Sequence, residues 1–577
     1  MRILLLVTAF NGLSQRIHQQ LSLEGHCVSV VFATHERELR KTLNQFQPEL
    51  ILCPFLKHRI ADDIWQNYLC IIIHPGITGD RGPSSLDWSI LEQQPSWGVT
   101  ALQADQEMDA GDIWGSQPFP MRSAPKASLY RQEVSTAAAL LVTELMQHLR
   151  QGGFAPRPLN YADPSVKGEL KPLIKQAQRR IDWLKDDTDT VLRKIHAADS
   201  VPGVLDELCG LAVHLYGAHR ETQLTGPKPK SILATRHGAI CVATKDGAVW
   251  ISHLKRQKTD DTLFIKLPAT WVLQSRLPDV PEAELPLLPD YDPNRFSEIS
   301  YLQQDEVGYL WFNFHNGAMG TEQCQRLLSA YRQACQRNIR VLVLMGGDDF
   351  WSNGIHLNHI EAAADPAAES WQNINAINDV VEAILLTDDK LTVAAVGNNA
   401  GAGGVMMALA CDTVVARDGV VLNPHYQSMG LYGSEYWTYT LPKRVGEAMA
   451  QQLTQACLPV GSAQARQLGL VDEVLPGTMA EFQRQLADYA VTMATSELYH
   501  SRLQAKRQTR HLDEQQRPLA DFRRQELEQM HQCFHGFLSD YHRLRYGFVY
   551  KMCPRVTPPR LVHPLARKRP TSAVRSR

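Results

Sequence analysis

Short apolar runs rich in β-branched residues recur through the first part of the chain: RILLLVTAF (2–10), HCVSVVFAT (26–34), PELILCPF (48–55) and LCIIIHP (69–75). Polar stretches of helical character lie between them. Near-continuous apolar runs alternating with helices read as a parallel sheet covered on both faces. The same alternation returns further on in VGYLWFNF (307–314), IRVLVLMG (339–346), KLTVAAVG (390–397) and DTVVARDG (412–419). Between these two blocks the pattern changes. A helix is predicted over DDTDTVLRKIHAADS (186–200), followed by short strands with glycine and lysine turns in ILATRHGAICVATKDGAVWISHL (232–254), the pattern of a small barrel.

Two proline clusters punctuate the chain, at Pro156, Pro158, Pro164 and Pro172, and again at Pro278, Pro281, Pro286, Pro289 and Pro293. Proline removes a backbone donor and disfavours helix at the residue before it, so both clusters read as linkers. The expected organisation is α/β and multidomain: a Rossmann-like domain over 1–160, a small β-barrel-like domain over 170–275, a Pro-rich linker over 276–296, a second α/β domain over 297–495, helices over 496–550 and a basic tail over 551–577. The tail carries eight Lys or Arg and no acid. It reads as a solvated end or as an anchor for a ligand's phosphates.

Composition narrows the function classes. A chain of 577 residues exceeds one hydrophobic core and divides into roughly three or four domains. A net charge of −2 lacks the basic footprint of a nucleic-acid binder. The eleven cysteines are scattered with no C-x-x-C pair, which gives neither a disulfide framework nor a zinc site and suits a reducing compartment. No metal site is expected. The opening MRILLLVTAF ends at Asn11-Gly12 with no small-residue cleavage site, and reads as a buried first strand. No run approaches the roughly 18 apolar residues of a membrane span. A cytoplasmic location with neither nucleic-acid nor membrane partners is expected.

The first chemical centre is IIIHPGITGDRG (71–82), which places His74 just past a buried strand. Ligands of open α/β sheets gather at the C-terminal ends of strands. Further on, MDAGDIWGS (108–116) offers Asp109 and Asp112 around a glycine turn. Asp109 is expected to orient His74 as a general acid/base pair. His74, Arg81-Gly82, the GVT at Gly98–Thr100 and MDAGD at 108–112 together resemble the core motif of folate-dependent formyltransferases, in the same order and at similar spacing. RRIDWLKDDTDTVLRKIHA (179–197) is similar to the start of the C-terminal domain of methionyl-tRNA formyltransferases. The resemblance covers about 1–275 and implies N10-formyl-tetrahydrofolate as a ligand, with Phe55, Leu56, Arg81 and Asp112 as folate contacts. The family's asparagine two residues before the histidine is Ile72 here, and GITGD replaces its SLLP-type turn. The formyl acceptor is therefore not fixed as an amino group.

The second centre is VGNNAGAGGVMMALACD (396–412). Its glycine spacing matches a dinucleotide loop poorly, and the G-K-S/T of a phosphate loop is absent. A strand, a glycine turn and a helix start near Gly404 remain. Amides at a helix start hold negative charge on an oxygen. A second exposed turn lies in VLMGGDDFWSNGIHL (343–357). The two turns resemble the paired loops of the enoyl-CoA hydratase/isomerase (crotonase) family over about 305–490, with its ββα-spiral fold. By that match the amides of Ile355 and Gly403 form an oxyanion hole for a thioester, and coenzyme A is implied. The positions of the two hydratase glutamates hold Met406 and His425, so hydration is not expected. The segment LNPHYQSMGLYGSEYW (422–437) supplies His425, Tyr426, Tyr432, Glu435 and Tyr436 instead. An aromatic packing cluster is one reading. The other makes Tyr426 and Glu435 the proton-transfer pair, with His425 in support.

The fusion of the two halves, with HPGITGDRGPSSLDW and LNPHYQSMGLYGSEYW, resembles the HypX/HoxX hydrogenase maturation factors over nearly the whole chain. That resemblance implies formyl transfer from the folate to CoA, then decarbonylation of formyl-CoA to carbon monoxide and CoA, with the nickel-iron hydrogenase maturation machinery as partner. The alternatives are a formyl-folate transferase or hydrolase with a non-catalytic acyl-CoA-binding half, and an assembly scaffold.

Overall fold

The N-terminal apolar runs become β1 (Arg2–Val7), β2 (Cys27–Phe32), β3 (Leu50–Cys53) and β4 (Cys70–His74), joined by β5 (Ser96–Gln103) and β6 (Ile113–Pro120). In this computed structural model, residues 1–259, 262–552, 554 and 556–567 are described. The strand order is β2-β1-β3-β4-β5-β6. The first four strands are parallel, but β5 runs antiparallel to both β4 and β6. The sheet is thus mixed rather than wholly parallel, with His74 paired to Thr100 where the direction changes. The first helix, Gly12–Leu23, is capped by Asn11, whose Oδ1 accepts from the Ser14 amide at 3.0 Å.

The chain divides into two compact units, one comprising 1–180, 193–203 and 553–577, the other 181–192 and 204–552. In the first unit, the earlier proline-rich stretch is a strap rather than a linker. Gly168 N–H donates to Thr78 O at 3.0 Å, Lys171 N–H to Arg81 O at 3.0 Å, and the Tyr161 hydroxyl to Gly79 O at 3.0 Å. Proline rigidity makes such a hydrogen-bonded strap cheap to order.

The basic tail is also not a free end where it is described. Thr557, Leu561 and Ala566 are buried. Thr557 Oγ1 accepts from the Phe32 amide at 3.2 Å, and the His563 amide donates to Ser29 Oγ at 3.2 Å. Phe32 and Ser29 lie on β2, the edge strand, so this segment covers the Phe32 amide and the Ser29 hydroxyl at that edge. The last part of the expected tail, 568–577, lies outside the described residues.

In the second unit, β7 (Val204–Leu208), β8 (Leu211–Glu221), β9 (Ile232–Arg236), β10 (Ala239–Ala243) and β11 (Ala248–Arg256) form an antiparallel sheet of order β7-β8-β11-β10-β9, with β12 (Leu267–Pro268) paired to β11. The second proline cluster is pinned on both sides rather than loose. Ala283 N–H donates to Thr235 O at 2.8 Å and Tyr301 N–H to Pro289 O at 2.8 Å. Beyond it run β13 (Ile299–Gln304), β14 (Val307–Phe312), β15 (Val341–Gly346), β16 (Leu391–Val396), β17 (Ala400–Gly401), β18 (Thr413–Arg417), β19 (Val421–Asn423), β20 (Val460–Gly461) and β21 (Glu473–Leu475). The large sheet has the order β13-β14-β15-β16-β18-β21, and β17-β19-β20 make a small one. From β14 to β21 the large sheet is parallel. Helix Pro366–Leu386 crosses it, started by Asp365, whose carboxylate accepts from the Ala367 and Ala368 amides. Among the described residues no helix is long and apolar enough to cross a membrane.

Deleting 556–577 is expected to destabilise the N-terminal unit by about 2–4 kcal/mol, from two buried side chains and the edge-strand bonds. Urea unfolding measures this, and hydrogen exchange of the Ser29–Phe32 amides should quicken. Unchanged curves would restore the reading of a solvated tail.

Candidate active sites

The first site forms at the end of β4. His74 is 5% exposed and its Nε2 lies 2.8 Å from Asp80 Oδ2, while Nδ1 is 3.7 Å from Asp109 Oδ1. Asp109 was the expected orienting carboxylate, but Asp80 makes the short hydrogen bond. Two glycines permit this contact. A Cβ on Gly76 would fall 2.3 Å from Asp80 Oδ2 and 2.5 Å from His74 Nε2, and one on Gly168 would fall 1.9 Å from the Asp80 nitrogen. Burial disfavours charge on His74, but the Asp80 bond and the charges of Asp109 and Asp80 outweigh it and raise its pKa above the usual value. The ring is therefore held toward its cationic form between two carboxylates.

The residues expected to touch a folate are placed less uniformly. Arg81 is committed to the turn that carries Asp109: its Nε donates to Met108 O at 3.2 Å and a terminal nitrogen to Glu107 at 2.9 Å. Asp109 itself has φ +57°, a strained value for a non-glycine residue that this clamp maintains. The Asp112 carbonyl accepts from Gln103 N–H at 2.9 Å, beside Gly111, where a Cβ would strike Gln103 O at 2.0 Å. Phe55 meets Tyr130 edge-on at 6.0 Å. Leu56 lines a cavity of 330 Å³ with Leu6, Leu39, Arg59 and Ile64. Ile72 alternates with His74 along β4 and so faces the same side, presenting no polar donor there.

The second site lies past the C-terminal ends of the neighbouring parallel strands β15 and β16. The loop after β15 is fixed by Met319 N–H donating to Gly354 O at 2.9 Å and by Gly401 N–H donating to Ser352 O at 2.9 Å. The helix after β16, Gly403–Leu409, starts from Ala402 at φ +46° and ψ −125°, a strained turn that presents the Gly403 amide. A Cβ on Gly354 would lie 3.1 Å from the Gly403 nitrogen, so the two loops abut. Among the described residues, no acceptor engages the N–H of Ile355 or Gly403. Two unengaged amides on adjoining loops are what an oxyanion hole requires.

Glu435 sits against the Gly403 backbone. An ideal Cβ on Gly403 would fall 2.1 Å from Glu435 Oε1, so only a glycine lets the carboxylate sit against that backbone. Its other oxygen accepts from the Tyr426 hydroxyl at 2.7 Å and the Ser434 amide at 3.1 Å. Gly433, at φ +98°, leaves room for the Tyr426 ring. Glu435 is 1% exposed; burial pushes its pKa to about 7, against the lowering effect of the Tyr426 and Ser434 bonds. Burial and the neighbouring Glu435 charge hold Tyr426 well above the usual range, so it remains a neutral phenol. His425 stands beside Gly401, its Nδ1 bonded to Asn423 O at 2.7 Å. Tyr436 turns away, its hydroxyl donating to Glu382 at 2.9 Å. Met406 is 0% exposed in the core, where it supplies packing.

Two residues that the sequence reading missed hold Glu435 in place. Glu435 and Tyr436 have φ of +59° and +57°, two consecutive left-handed residues with side chains. Such a turn persists only where its surroundings over-determine it. Asn378 Oδ1 accepts from the Glu435 amide at 2.8 Å. The fully buried carboxylate of Glu526 accepts from Tyr436 N–H at 2.9 Å, Thr438 N–H at 2.9 Å, Thr438 Oγ1 at 2.6 Å and Ser434 Oγ at 3.3 Å. Glu526 sits on helix Leu519–His535, where its spacing among other polar residues gives no signal. Its own pKa is pushed to about 7 by burial, with Glu435 adding repulsion.

A carboxyl group at about 7 when folded, against 4.5 for the free group, binds more protons in the native state across that interval. Unfolding free energy therefore falls as pH rises from about 4.5 through about 7. Glu435→Gln removes this term. The variant is expected to gain on the parent protein between pH 5 and 8 by on the order of 1–3 kcal/mol. Chemical denaturation at the two pH values tests it, and parallel curves would contradict the burial argument.

Comparison with known proteins agrees with this two-part construction. The enoyl-CoA hydratase/isomerase family matches residues 312–550 and the formyl transferase C-terminal domain matches 173–262. The methionyl-tRNA formyltransferase of Bacillus velezensis is 24% identical over 235 residues, covering 39% of this chain and 72% of that enzyme. HypX from Aquifex aeolicus, solved in complex with tetrahydrofolic acid, superposes with a TM-score of 0.94 at 44% identity, over 99% of this chain and 100% of that one. The hydrogenase maturation factor HoxX of Bradyrhizobium diazoefficiens is 46% identical over 559 residues, 97% of this chain and 96% of that protein. The chain belongs to the HypX/HoxX family of hydrogenase maturation factors.

Proposed function

We propose that this protein makes carbon monoxide for hydrogenase assembly in two steps, formyl transfer from N10-formyl-tetrahydrofolate to the thiol of CoA, then decarbonylation of the formyl-CoA. The observation that carries the reading is the placement of Glu435 Oε1 against Gly403, in a site where Met406 and His425 stand at the hydratase carboxylate positions.

In the first step the CoA thiol gives up its proton as its sulfur attacks the formyl carbon, the C–N10 bond breaks and N10 takes a proton, the thiol proton replacing the one that His74 donates. His74, whose charged form the Asp80 bond and the Asp109 charge favour, donates that proton and polarises the carbonyl from the side where Ile72 supplies no donor. Folate as donor is supported by the tetrahydrofolic acid bound in the Aquifex relative. In the second step the amides of Ile355 and Gly403 hold the thioester oxygen, which acidifies the formyl C–H. Glu435 removes that proton; the electron pair expels the thiolate, and carbon monoxide leaves. The proton returns to sulfur through Glu435 and the Tyr426 hydroxyl, giving free CoA. A base near pH 7 is matched to this work, because it exists in both forms at the operating pH. The carbon monoxide is delivered toward the nickel-iron hydrogenase maturation machinery, the role that gives the family its name.

Purified protein given N10-formyl-tetrahydrofolate is expected to release carbon monoxide, followed with reduced myoglobin, only when CoA is present. Glu435→Gln should cut this at least about 100-fold and accumulate formyl-CoA. His74→Ala should also lose output from the folate but recover it when formyl-CoA is supplied, which Glu435→Gln should not. Full carbon monoxide release by Glu435→Gln would remove the assigned base. Formate or formyl-CoA without carbon monoxide would confine the chemistry to the first site.

A further inference from the structure

We infer that His253, His356 and His359 form a site for a divalent cation of the zinc class, distinct from both proposed active sites. Each of the three offers one nitrogen, and these atoms all lie within 4.8 Å of one another. They come from different elements of the second unit: His253 from β11, His356 and His359 from the start of helix Leu357–Ala362. The spacing between segments explains why the sequence gives no ligand motif.

Three features point to a ligand rather than to packing. All three side chains are buried, at 5%, 6% and 8% exposure. His359 Nε2 is buried without a hydrogen-bond partner. An orphaned polar atom of this kind costs the fold stability, which a bound cation would offset. His253 is oriented as a metal ligand would be, with Nδ1 2.9 Å from Ser252 Oγ, leaving Nε2 as the binding atom. The rings of His356 and His359 are stacked at 3.6 Å, and His315 stacks on His253 at 3.9 Å, so four imidazoles gather in one place.

The donor set chooses the ion. Neutral imidazoles with no carboxylate or thiolate among them suit zinc, cobalt or nickel rather than calcium or magnesium. Three nitrogens on zinc at about 2.0–2.1 Å require ring movements on the order of 1 Å from the distances seen. Ligation by His356 Nδ1 would give up its 3.3 Å contact with His359 N–H, a long and weak bond set against the much stronger bonds of a structural zinc. Lys266 and Arg326 oppose a cation here, although Arg326 is paired with Glu298 and Lys266 lies over the Tyr216 ring at 4.0 Å. The site has a structural consequence. His356 directly follows Ile355, so a bound ion would tie the segment bearing one candidate oxyanion amide to strand β11 of the antiparallel sheet.

The test uses the full-length protein, stripped with a chelator and titrated with Zn²⁺ alone by calorimetry. One equivalent should bind, and His359→Asn and His253→Asn should each weaken binding at least about tenfold. Because a variant at a buried position can fail to fold, crystals of the parent protein soaked in Zn²⁺ provide the second measurement. An anomalous peak at the zinc edge should lie among the three rings. No binding by the parent, or a peak only at surface histidines with this cluster empty, would overturn the site. So would equal binding by folded variants.

Discussion

A buried carboxylate with no cation beside it among the described residues organises the second unit. Taking Glu435 out of water is expensive, and its hydrogen bonds from Tyr426 and Ser434 recover only part of the loss. Several unusual local features nearby follow from keeping it there. Gly403 lacks a side chain because the carboxylate occupies that space, and Gly433 lacks one because Tyr426 must reach the carboxylate. Residues 435 and 436 take left-handed conformations in the turn that brings the Glu435 carboxylate against Gly403. Asn378 and Glu526 then saturate the amides that the turn exposes.

The first unit solves the opposite problem. There the buried group is a base that must carry positive charge, and two carboxylates converge on it. The same physics of desolvation pushes both groups toward neutrality, but the partners decide the outcome. Carboxylates restore charge to His74, whereas a phenol, an amide and a second acid leave Glu435 near the neutral point. One chain thus carries a histidine biased toward its charged form and a carboxyl group biased toward its neutral form.

What was readable in the sequence depended on how local the constraint was. His74, Ile355, Gly403, Tyr426 and Glu435 lie in short segments whose glycines, strand ends and polar clusters reveal them. Asp80 is only six residues from His74, yet the turn that folds it back depends on Gly76 and Gly168, and the latter comes from a stretch that resembled a linker. The reversal at β5 was hidden because an antiparallel strand buried on both faces looks like its parallel neighbours. Glu526 was invisible for a different reason. It is one acid among many on a polar helix, and its burial is decided by a turn 90 residues earlier.

That last case changes how the helical end piece is understood. Helix Leu519–His535 follows the last strand of the large sheet and could be taken for an accessory packed on a finished domain. Its Glu526 instead accepts four hydrogen bonds from Ser434, Tyr436 and Thr438, and its Met530 sulfur accepts from Gly433 N–H at 3.3 Å. A core ending before this helix would strip their partners from the Gly433 and Tyr436 amides and from the half-buried Thr438 amide around a strained turn, at about 1–3 kcal/mol for each buried one. The turn could not persist under that load. Placement of Glu435 therefore requires the end piece, and the second site is complete only when the chain has been folded past residue 530.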